Sequence, residues 1–168
     1  RRAFPSFDEP IYKATYDVSL TVDKSDVAIS NSRQVSDTPG PDPGKHTVTF
    51  ETTPKMSSYL VALAVGDFEC NEGSADNIPI RICSTPDKKG LTGFALESTE
   101  QIVKYYNRYY AEKYPFKKLD IVAVPYKVST QMAQDTAAGR TQVVVSSVPI
   151  VEPHAKAGRL RMLGVTSE

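Results

Sequence analysis

The sequence predicts a fold of the class β plus α/β, and three observations lead to it. Residues 12–22 alternate apolar and polar side chains with a period of two, as a half-buried strand does. Further short apolar stretches up to residue 84 are separated by turn residues. After residue 90 the apolar spacing becomes helical. We therefore expect an antiparallel β-sandwich or saddle over residues 1–84, then a helix, a strand and a small βαβ-like tail.

The strands of the β domain follow from alternation and from turn residues. Residues 39–44 hold three prolines and two glycines, which predicts a surface loop between two hairpin arms. Residues 59–65 are apolar throughout, which predicts a strand covered on both sides that breaks at Gly66. The predicted strands are residues 12–22, 27–30, 46–50, 59–65 and 78–82.

The two cysteines are Cys70 and Cys83, and they do not form a C-x-x-C pair. If residues 71–77 turned the chain between two strands, Cys70 would lie nearer to Ile78 than to Cys83. The spacing therefore favours two buried thiols over a disulfide within the hairpin.

One amphipathic helix is predicted over residues 92–112. Its apolar side chains recur at steps of three and four, and its two tyrosine pairs, at 105–106 and 109–110, are expected to pack in the core rather than form a binding site. A buried strand should follow at residues 119–124. The predicted buried stripe is Leu91, Ala95, Ser98, Ile102, Tyr106 and Tyr109.

The tail predicts an α/β alternation. Residues 130–138 favour a helix that ends at Gly139, and residues 153–157 favour a second one that ends at Gly158. The β-branched residues at 141–146 and the apolar residues at 160–165 favour strands. This pattern is typical of a small parallel sheet.

Composition excludes several functions. Twenty Lys and Arg residues balance twenty Asp and Glu residues, so no net charge attracts nucleic acid or an anionic membrane. No apolar run approaches the roughly 20 residues of a membrane span, and no signal peptide is visible. Because the sequence begins without methionine and stops inside a continuing pattern, we expect both ends to be cuts.

The first residues read R-x-F-P-x-F-D-E-P-x-x-K-A-T-Y, and this motif resembles the N-terminal β domain of the zinc aminopeptidases of the aminopeptidase N type. Residues 54–62, 65–68 and 114–125 resemble later landmarks of that family in the same order. The resemblance covers about residues 1–125. It implies that residues 85–125 open a truncated thermolysin-like catalytic domain, and that the full-length enzyme removes N-terminal residues from peptide substrates. The motif residues are Arg2, Pro5, Asp8, Glu9, Pro10 and Lys13.

The zinc site of that family is not found in this sequence. It requires H-E-x-x-H, which places two imidazoles on one helix face and a general base between them. The chain has only His46 and His154, and residues 126–130 replace the substrate-binding G-A-M-E-N loop. We therefore expect no catalytic residue, no metal ligand and no cofactor in this chain, with zinc confined to the full-length relative. His46 is expected to be a core or rim residue, and His154 a solvated helix residue.

A carboxylate pair, Asp8 and Glu9, lies between Phe7 and Pro10 in the motif. We expect these acids to brace the N-terminal segment through ion pairs and backbone hydrogen bonds.

The tail has a second resemblance. Residues 124–127, 134–140, 153–161 and 165–167 resemble the periplasmic substrate-binding receptors of tripartite tricarboxylate transporters. This implies that residues 126–168 are a receptor fragment, in which Tyr126, Lys127 and Ser129 are candidate ligands for a small carboxylate. The two resemblances share only residues 124–125, as a fusion or a mis-assembled reading frame would produce. They favour an extracytoplasmic, periplasmic location.

Three functions remain open at this point. The chain is a fragment of a zinc aminopeptidase that is inactive alone, a non-catalytic β-sandwich interaction module, or a carboxylate-binding module that acts through its tail. The second predicts an apolar patch of several hundred Å² on an exposed strand face.

Overall fold

A computed structural model describes residues 4–7, 9–124, 126, 128–141, 143–144 and 146–162. The chain forms two compact units, Arg1–Ala123 and Val124–Glu168. The elements of the first unit are β1 (Lys13–Ala14), β2 (Ser19–Asp23), β3 (Val27–Ser30), β4 (Gln34–Pro39), β5 (Lys45–Phe50), β6 (Met56–Ser57), β7 (Leu63–Gly66), β8 (Glu69–Ala75), β9 (Ile78–Ser84), α1 (Gly93–Tyr109) and β10 (Leu119–Val122). The second unit contains α2 (Ser129–Ala137) and α3 (Val148–Lys156).

The sheets are mostly antiparallel, which confirms the predicted class. β5 lies between β2 and β4, β3 pairs with β7, β1 pairs with β6, and β9 lies between β8 and β10. Only the β9–β10 pair is parallel among the strand pairs described. Two apolar cores result. The first is built from Val22, Ala28, Val48 and Phe50, and the second from Ala75, Ile80, Ile82 and Val103.

The single long strand predicted over residues 12–22 is wrong in its extent, because this segment forms two separate strands, β1 and β2. β1 pairs with β6 and β2 pairs with β5, so the chain changes partner between them. At the change, the Tyr16 amide donates to Thr53 Oγ1 (2.9 Å), and the Thr53 amide donates to the Tyr16 carbonyl (3.0 Å). Tyr12 is 57% exposed because it precedes the part that covers the core, whereas Val22 is buried.

Residues 59–65 do not form the doubly covered strand that was predicted. A 3₁₀ turn occupies Ser58–Leu60, and β7 begins only at Leu63. Tyr59 is 63% exposed, Leu63 is 43% exposed and Val65 is 45% exposed. An apolar run alone does not determine burial, because β7 packs against one neighbouring strand, β3. The predicted break at Gly66 is confirmed as the end of β7.

A disulfide joins Cys70 and Cys83, contrary to the expectation of two thiols. The hairpin turns at Asp76 and Asn77, whose φ angles of 49° and 69° are those of a two-residue turn. β8 therefore extends to Ala75, and the register places Cys70 directly opposite Cys83. The prediction failed because it placed the turn across residues 71–77 instead of across two residues.

The helix α1 confirms the predicted helix and part of its buried side. Ala95 packs against the second core as predicted, and Val103 and Thr99 are buried beside it in sequence. The predicted Leu91 and Ile102, however, are 75% and 50% exposed. The buried line is displaced by about one residue around the helix, which is roughly 100°. Apolar residues flank both sides of the helix, so only the sheet decides which side is covered.

The described residues of the tail form two helices, and those predicted as strands have no regular structure. α2 and the helix-ending Gly139, with φ of +72°, match the prediction. α3 begins at Val148, earlier than predicted, and includes Pro153. Residues 141, 143, 144, 146 and 160–162 are not in strands, whereas residues 142, 145 and 163–165 lie outside the described part. β-branched residues form a stable strand only with partners, which this part of the tail does not supply.

Candidate functional site

The N-terminal motif is fastened by two serines that sequence reasoning did not single out. The buried Ser58 hydroxyl donates to the Phe7 carbonyl, and the buried Ser57 hydroxyl donates to the Pro10 carbonyl, both at 2.7 Å. Lys13 pairs with Ser57 between β1 and β6. The sequence feature that could have identified Ser57 and Ser58 is the family landmark Met56-Ser57-Ser58, which places two small hydroxyl residues next to each other.

The motif side chains themselves point to a structural role. Pro5, Glu9, Pro10 and Lys13 are exposed, and the Glu9 carbonyl accepts a bond from the Tyr12 amide (3.0 Å). Arg2 and Asp8 lie outside the described residues, so their expected ion pairs stay predictions. Among the described atoms, the segment is therefore held through its backbone carbonyls.

His46 lies on β5 with both ring nitrogens engaged. Nδ1 lies 2.7 Å from Asp37 Oδ1, and Nε2 lies 3.0 Å from the Asp26 carbonyl oxygen. Both partners are acceptors, so the two contacts are both hydrogen bonds only when each ring nitrogen carries a proton. The hydrogen bond with Asp37 raises the pKa of His46 above its ordinary value, and this outweighs the opposing effect of burial.

Neither ring nitrogen of His46 is free for a metal, since each already has a hydrogen-bond partner. The other histidine, His154, lies on α3 of the second unit. His154 is half-buried rather than solvated as predicted, and its Nδ1 has no partner among the described atoms. Within the described residues, no group of three His, Cys, Asp or Glu side chains could hold a metal ion.

A buried ion cluster connects β9, β10 and β3. The Arg81 guanidinium donates two bonds to the Asp120 carboxylate, at 2.9 and 2.7 Å, and Lys118 Nζ lies 2.5 Å from the same carboxylate. Lys118 also donates to the Ser30 carbonyl at 2.7 Å. Burial raises the pKa of Asp120, but the bonds from Arg81 and Lys118 outweigh it and leave that pKa below its usual range.

This cluster was missed at the sequence level. Lys118 and Asp120 are separated by one residue, and alternate residues of an extended chain share a face. That spacing was the available signal. The partner Arg81 could not be identified, because its position depends on the parallel register that sets Asp120 opposite Arg81.

An apolar groove of about 300 Å³ runs beside α1 and β10. Burial raises the pKa of Tyr114 in its wall, and the charge of Asp120 adds to this effect. Its apolar lining residues are Ile102, Val103, Tyr106, Tyr114, Leu119 and Ile121. Two polar residues, Thr99 and Asn107, complete the described lining of the groove.

Four tyrosines at the end of α1 form an exposed aromatic surface, so the expectation that they pack in the core is wrong. Tyr105 stacks on Tyr109 with ring centroids 5.6 Å apart, and Tyr106 contacts Tyr110 at 5.7 Å. Their exposed fractions are 54%, 66%, 51% and 66% in that order. We call these four residues the tyrosine surface.

Of the tail residues proposed as carboxylate ligands, the structure describes Tyr126 and Ser129. Tyr126 donates to Asp135 Oδ2 (3.1 Å), and Arg140 also binds Asp135, at 2.5 Å. Burial and the bond with Asp135 raise the pKa of Tyr126. Ser129 is exposed at the first position of α2, and Lys127 lies outside the described residues.

None of the described helices is long and apolar enough to cross a membrane.

Comparisons with known proteins place the first part of the chain. Residues 1–60 match the family model of the Peptidase M1 N-terminal domain. The chain is 44% identical over 126 residues to a Puromycin-sensitive aminopeptidase of Caenorhabditis elegans, and 41% identical over 125 residues to an Aminopeptidase N of Acetobacter pasteurianus. It is 37% identical over 126 residues to the human Endoplasmic reticulum aminopeptidase 2.

Each of these matches covers 74% of the chain. The chain spans only 13% of the length of the nematode and human proteins and 35% of the bacterial one. The chain is therefore related to aminopeptidases, and its first 60 residues correspond to the N-terminal domain of the M1 peptidases.

Proposed function

We propose that this chain supplies the N-terminal β domain of a zinc aminopeptidase and performs no peptide hydrolysis alone. The match of three quarters of the chain to aminopeptidases supports the proposal. In the complete enzyme the reaction is the removal of N-terminal residues from peptides, and the role of this part is structural. Its described residues provide anchored backbone, ion pairs and apolar cores rather than a reactive centre.

The observation that carries the inactivity is the position of His46. Zinc hydrolases need at least three protein ligands and one open coordination position for the reacting water. Both His46 nitrogens are committed to oxygen acceptors in the first unit, and the other histidine of the sequence belongs to the second unit. This leaves too few imidazoles for the zinc site of the family.

Purified protein supplied with zinc is expected to hydrolyse amino-acid anilides no faster than buffer does. The measurement is the release of the aniline, with and without a chelator. The A. pasteurianus aminopeptidase, purified in the same way, serves as the positive control. Chelator-sensitive turnover that persists after further purification contradicts the proposal.

A second candidate function is self-association through the tyrosine surface. The four tyrosine side chains are half to two-thirds exposed, so together they present about 500 Å² of solvent-accessible surface. This area approaches the roughly 800 Å² that each partner buries in a stable interface. The occupant that we propose is a second copy of this chain. This patch lies on a helix, whereas the sequence suggested one on a strand face.

We expect weak, concentration-dependent dimers. Replacing Tyr105 and Tyr109 with serine should raise the dissociation constant at least about tenfold, because about 1.4 kcal/mol corresponds to two such aromatic contacts. Sedimentation velocity over a range of concentrations measures it. The matched control replaces Tyr12 and Tyr59, which are 57% and 63% exposed, with serine. Monomers at every concentration, or equal effects of both variants, contradict this function.

We also infer that the protein works outside the reducing cytoplasm. The disulfide between Cys70 and Cys83 supports this location, since disulfides persist in oxidising compartments.

A carboxylate-binding role for the tail has less support. The Arg140 side chain, a cation that could bind a carboxylate, already forms an ion pair with Asp135. Saturable heat on titration with a dicarboxylate would be needed to favour it.

A further inference from the structure

The edge strand β4 is attached to the molecule by few side chains. It lies at the edge of the β2-β5-β4 sheet, and all six of its residues are exposed. Its register with β5 is interrupted between Gln34 and Ser36. Because β4 buries no residue, its free energy of docking comes from the backbone bonds to β5 and from side-chain ties near each end.

Those ties are two ion pairs. Near the first end, Arg33 lies 2.7 Å from Glu51 Oε1. Toward the other end, Asp37 Oδ1 lies 2.7 Å from His46 Nδ1. The Arg33 guanidinium stays charged at every physiological pH, whereas an imidazole changes its charge between pH 5 and 8. Only the second tie can therefore respond to pH.

We propose that His46 is a pH-dependent pin that, when doubly protonated, fastens β4 and the turn after β2 to β5. Once the ring is neutral it holds β4 less tightly, because its bond to Asp37 is then either lost or no longer assisted by a positive charge. The geometry requires both protons. Nδ1–H reaches the Asp37 carboxylate on β4, and Nε2–H reaches the Asp26 carbonyl in the turn. A neutral ring carries only one proton, so one of the two bonds is lost and an acceptor faces a lone pair.

The other charged groups at this end of the sheet do not replace the pin. Lys45 on β5 lies 2.6 Å from Asp23 on β2. This hydrogen bond and the charges of Asp42 and Asp26 raise the pKa of Lys45, so it stays a cation while His46 titrates. Since Lys45 is paired with Asp23, Asp37 has His46 as its cationic partner among the described residues.

The sign of the effect follows from the raised pKa of His46. The stabilisation is fully present below the ordinary value of 6.5, and it is lost as pH rises through the pKa of the folded state. β4 is therefore held more tightly below the ordinary pKa of histidine than above the raised pKa of His46. The opposite dependence, with β4 tighter in alkali, contradicts the proposal.

Two measurements test the pin together. Nuclear magnetic resonance titration of the His154→Gln variant follows His46 alone, since the sequence has two histidines. Hydrogen exchange of the β4 amides, corrected for intrinsic base catalysis, is measured across the same pH range. The protection of β4 should fall tenfold for each unit by which the measured pKa exceeds 6.5.

Two variants distinguish an effect of His46 on β4 from a loss of stability of the whole fold. Asp37→Asn should lower the His46 pKa toward 6.5 and remove most of the pH dependence of β4. His46→Gln should remove that dependence entirely, while the amides of β9 keep their protection in every variant. A His46 pKa at or below its ordinary value, or β4 protection that does not change as His46 titrates, overturns the proposal.

Discussion

Replacement of Asp120 by asparagine is expected to lower the free energy of unfolding of the first unit by about 3–5 kcal/mol. The variant keeps the shape of the side chain but removes the only carboxylate of the cluster that Arg81 and Lys118 share. The side chain of Lys118 is 10% exposed and that of Asp120 is 6% exposed, so little water can replace the lost partner. Urea denaturation at neutral pH measures the change.

An exposed pair provides the control for this variant. Asp87 and Lys88 are 68% and 52% exposed, so Asp87→Asn should change the free energy of unfolding far less than Asp120→Asn does. The cluster also predicts a pH dependence. Because the pKa of Asp120 is lowered, its stabilisation is present above the carboxyl's unfolded-state pKa and is lost as pH falls through the folded-state value. Equal effects of the two variants would show that the buried cluster does not stabilise the unit.

Reduction of the disulfide is expected to lower the free energy of unfolding by about 3 kcal/mol, the entropy of closing a loop of this size in the unfolded chain. Cys70 and Cys83 are 13 residues apart in sequence and directly opposite each other on β8 and β9. The bond therefore restrains the hairpin that carries Ile80 and Ile82 of the second core. Denaturation with and without dithiothreitol measures the effect.

The double variant Cys70→Ala, Cys83→Ala is the matched control. It should unfold at the same urea concentration with and without dithiothreitol, and its free energy of unfolding should equal that of the reduced protein within about 0.5 kcal/mol. A thiol assay of the denatured, unreduced protein gives an independent answer. Two free thiols per chain would contradict both the disulfide and the location inferred from it.

Local features of the chain determined most of the elements. The alternation of His46, Val48 and Phe50 with polar residues predicted β5, and the buried side chains of Val48 and Phe50 confirm it. The turn residues at 39–44 predicted the loop between β4 and β5. These signals are local, because each depends on which face of one strand or one turn a residue occupies.

Burial was predicted poorly where one element had two possible neighbours. Tyr106 on α1 and Val65 on β7 are apolar and in regular elements, yet they are 51% and 45% exposed. Their side chains satisfy a periodicity, but no neighbour covers them. The described residues of the strands expected in the tail are not in strands for the same reason, since a strand is stable only when another strand accepts its hydrogen bonds.

For the candidate sites, too, local sequence features were predicted and contacts between distant residues were not. The absence of H-E-x-x-H and the presence of two histidines were readable in the order of residues. The sequence did not predict which residues pair in the structure. These pairs are the ion pairs Arg81–Asp120 and His46–Asp37 and the disulfide Cys70–Cys83.

The sequence by itself determined the β plus α/β class, the positions of most strands and helices, the resemblance to aminopeptidases and the lack of their zinc motif. Only the tertiary structure decided which side of α1 is buried, which residues pair across the sheets and which charges are shielded from water. The physical reason is that periodicity and turn chemistry act between residues that are close in sequence. Register, burial and ion pairing are set by contacts between distant residues, and a single strand or helix does not contain that information.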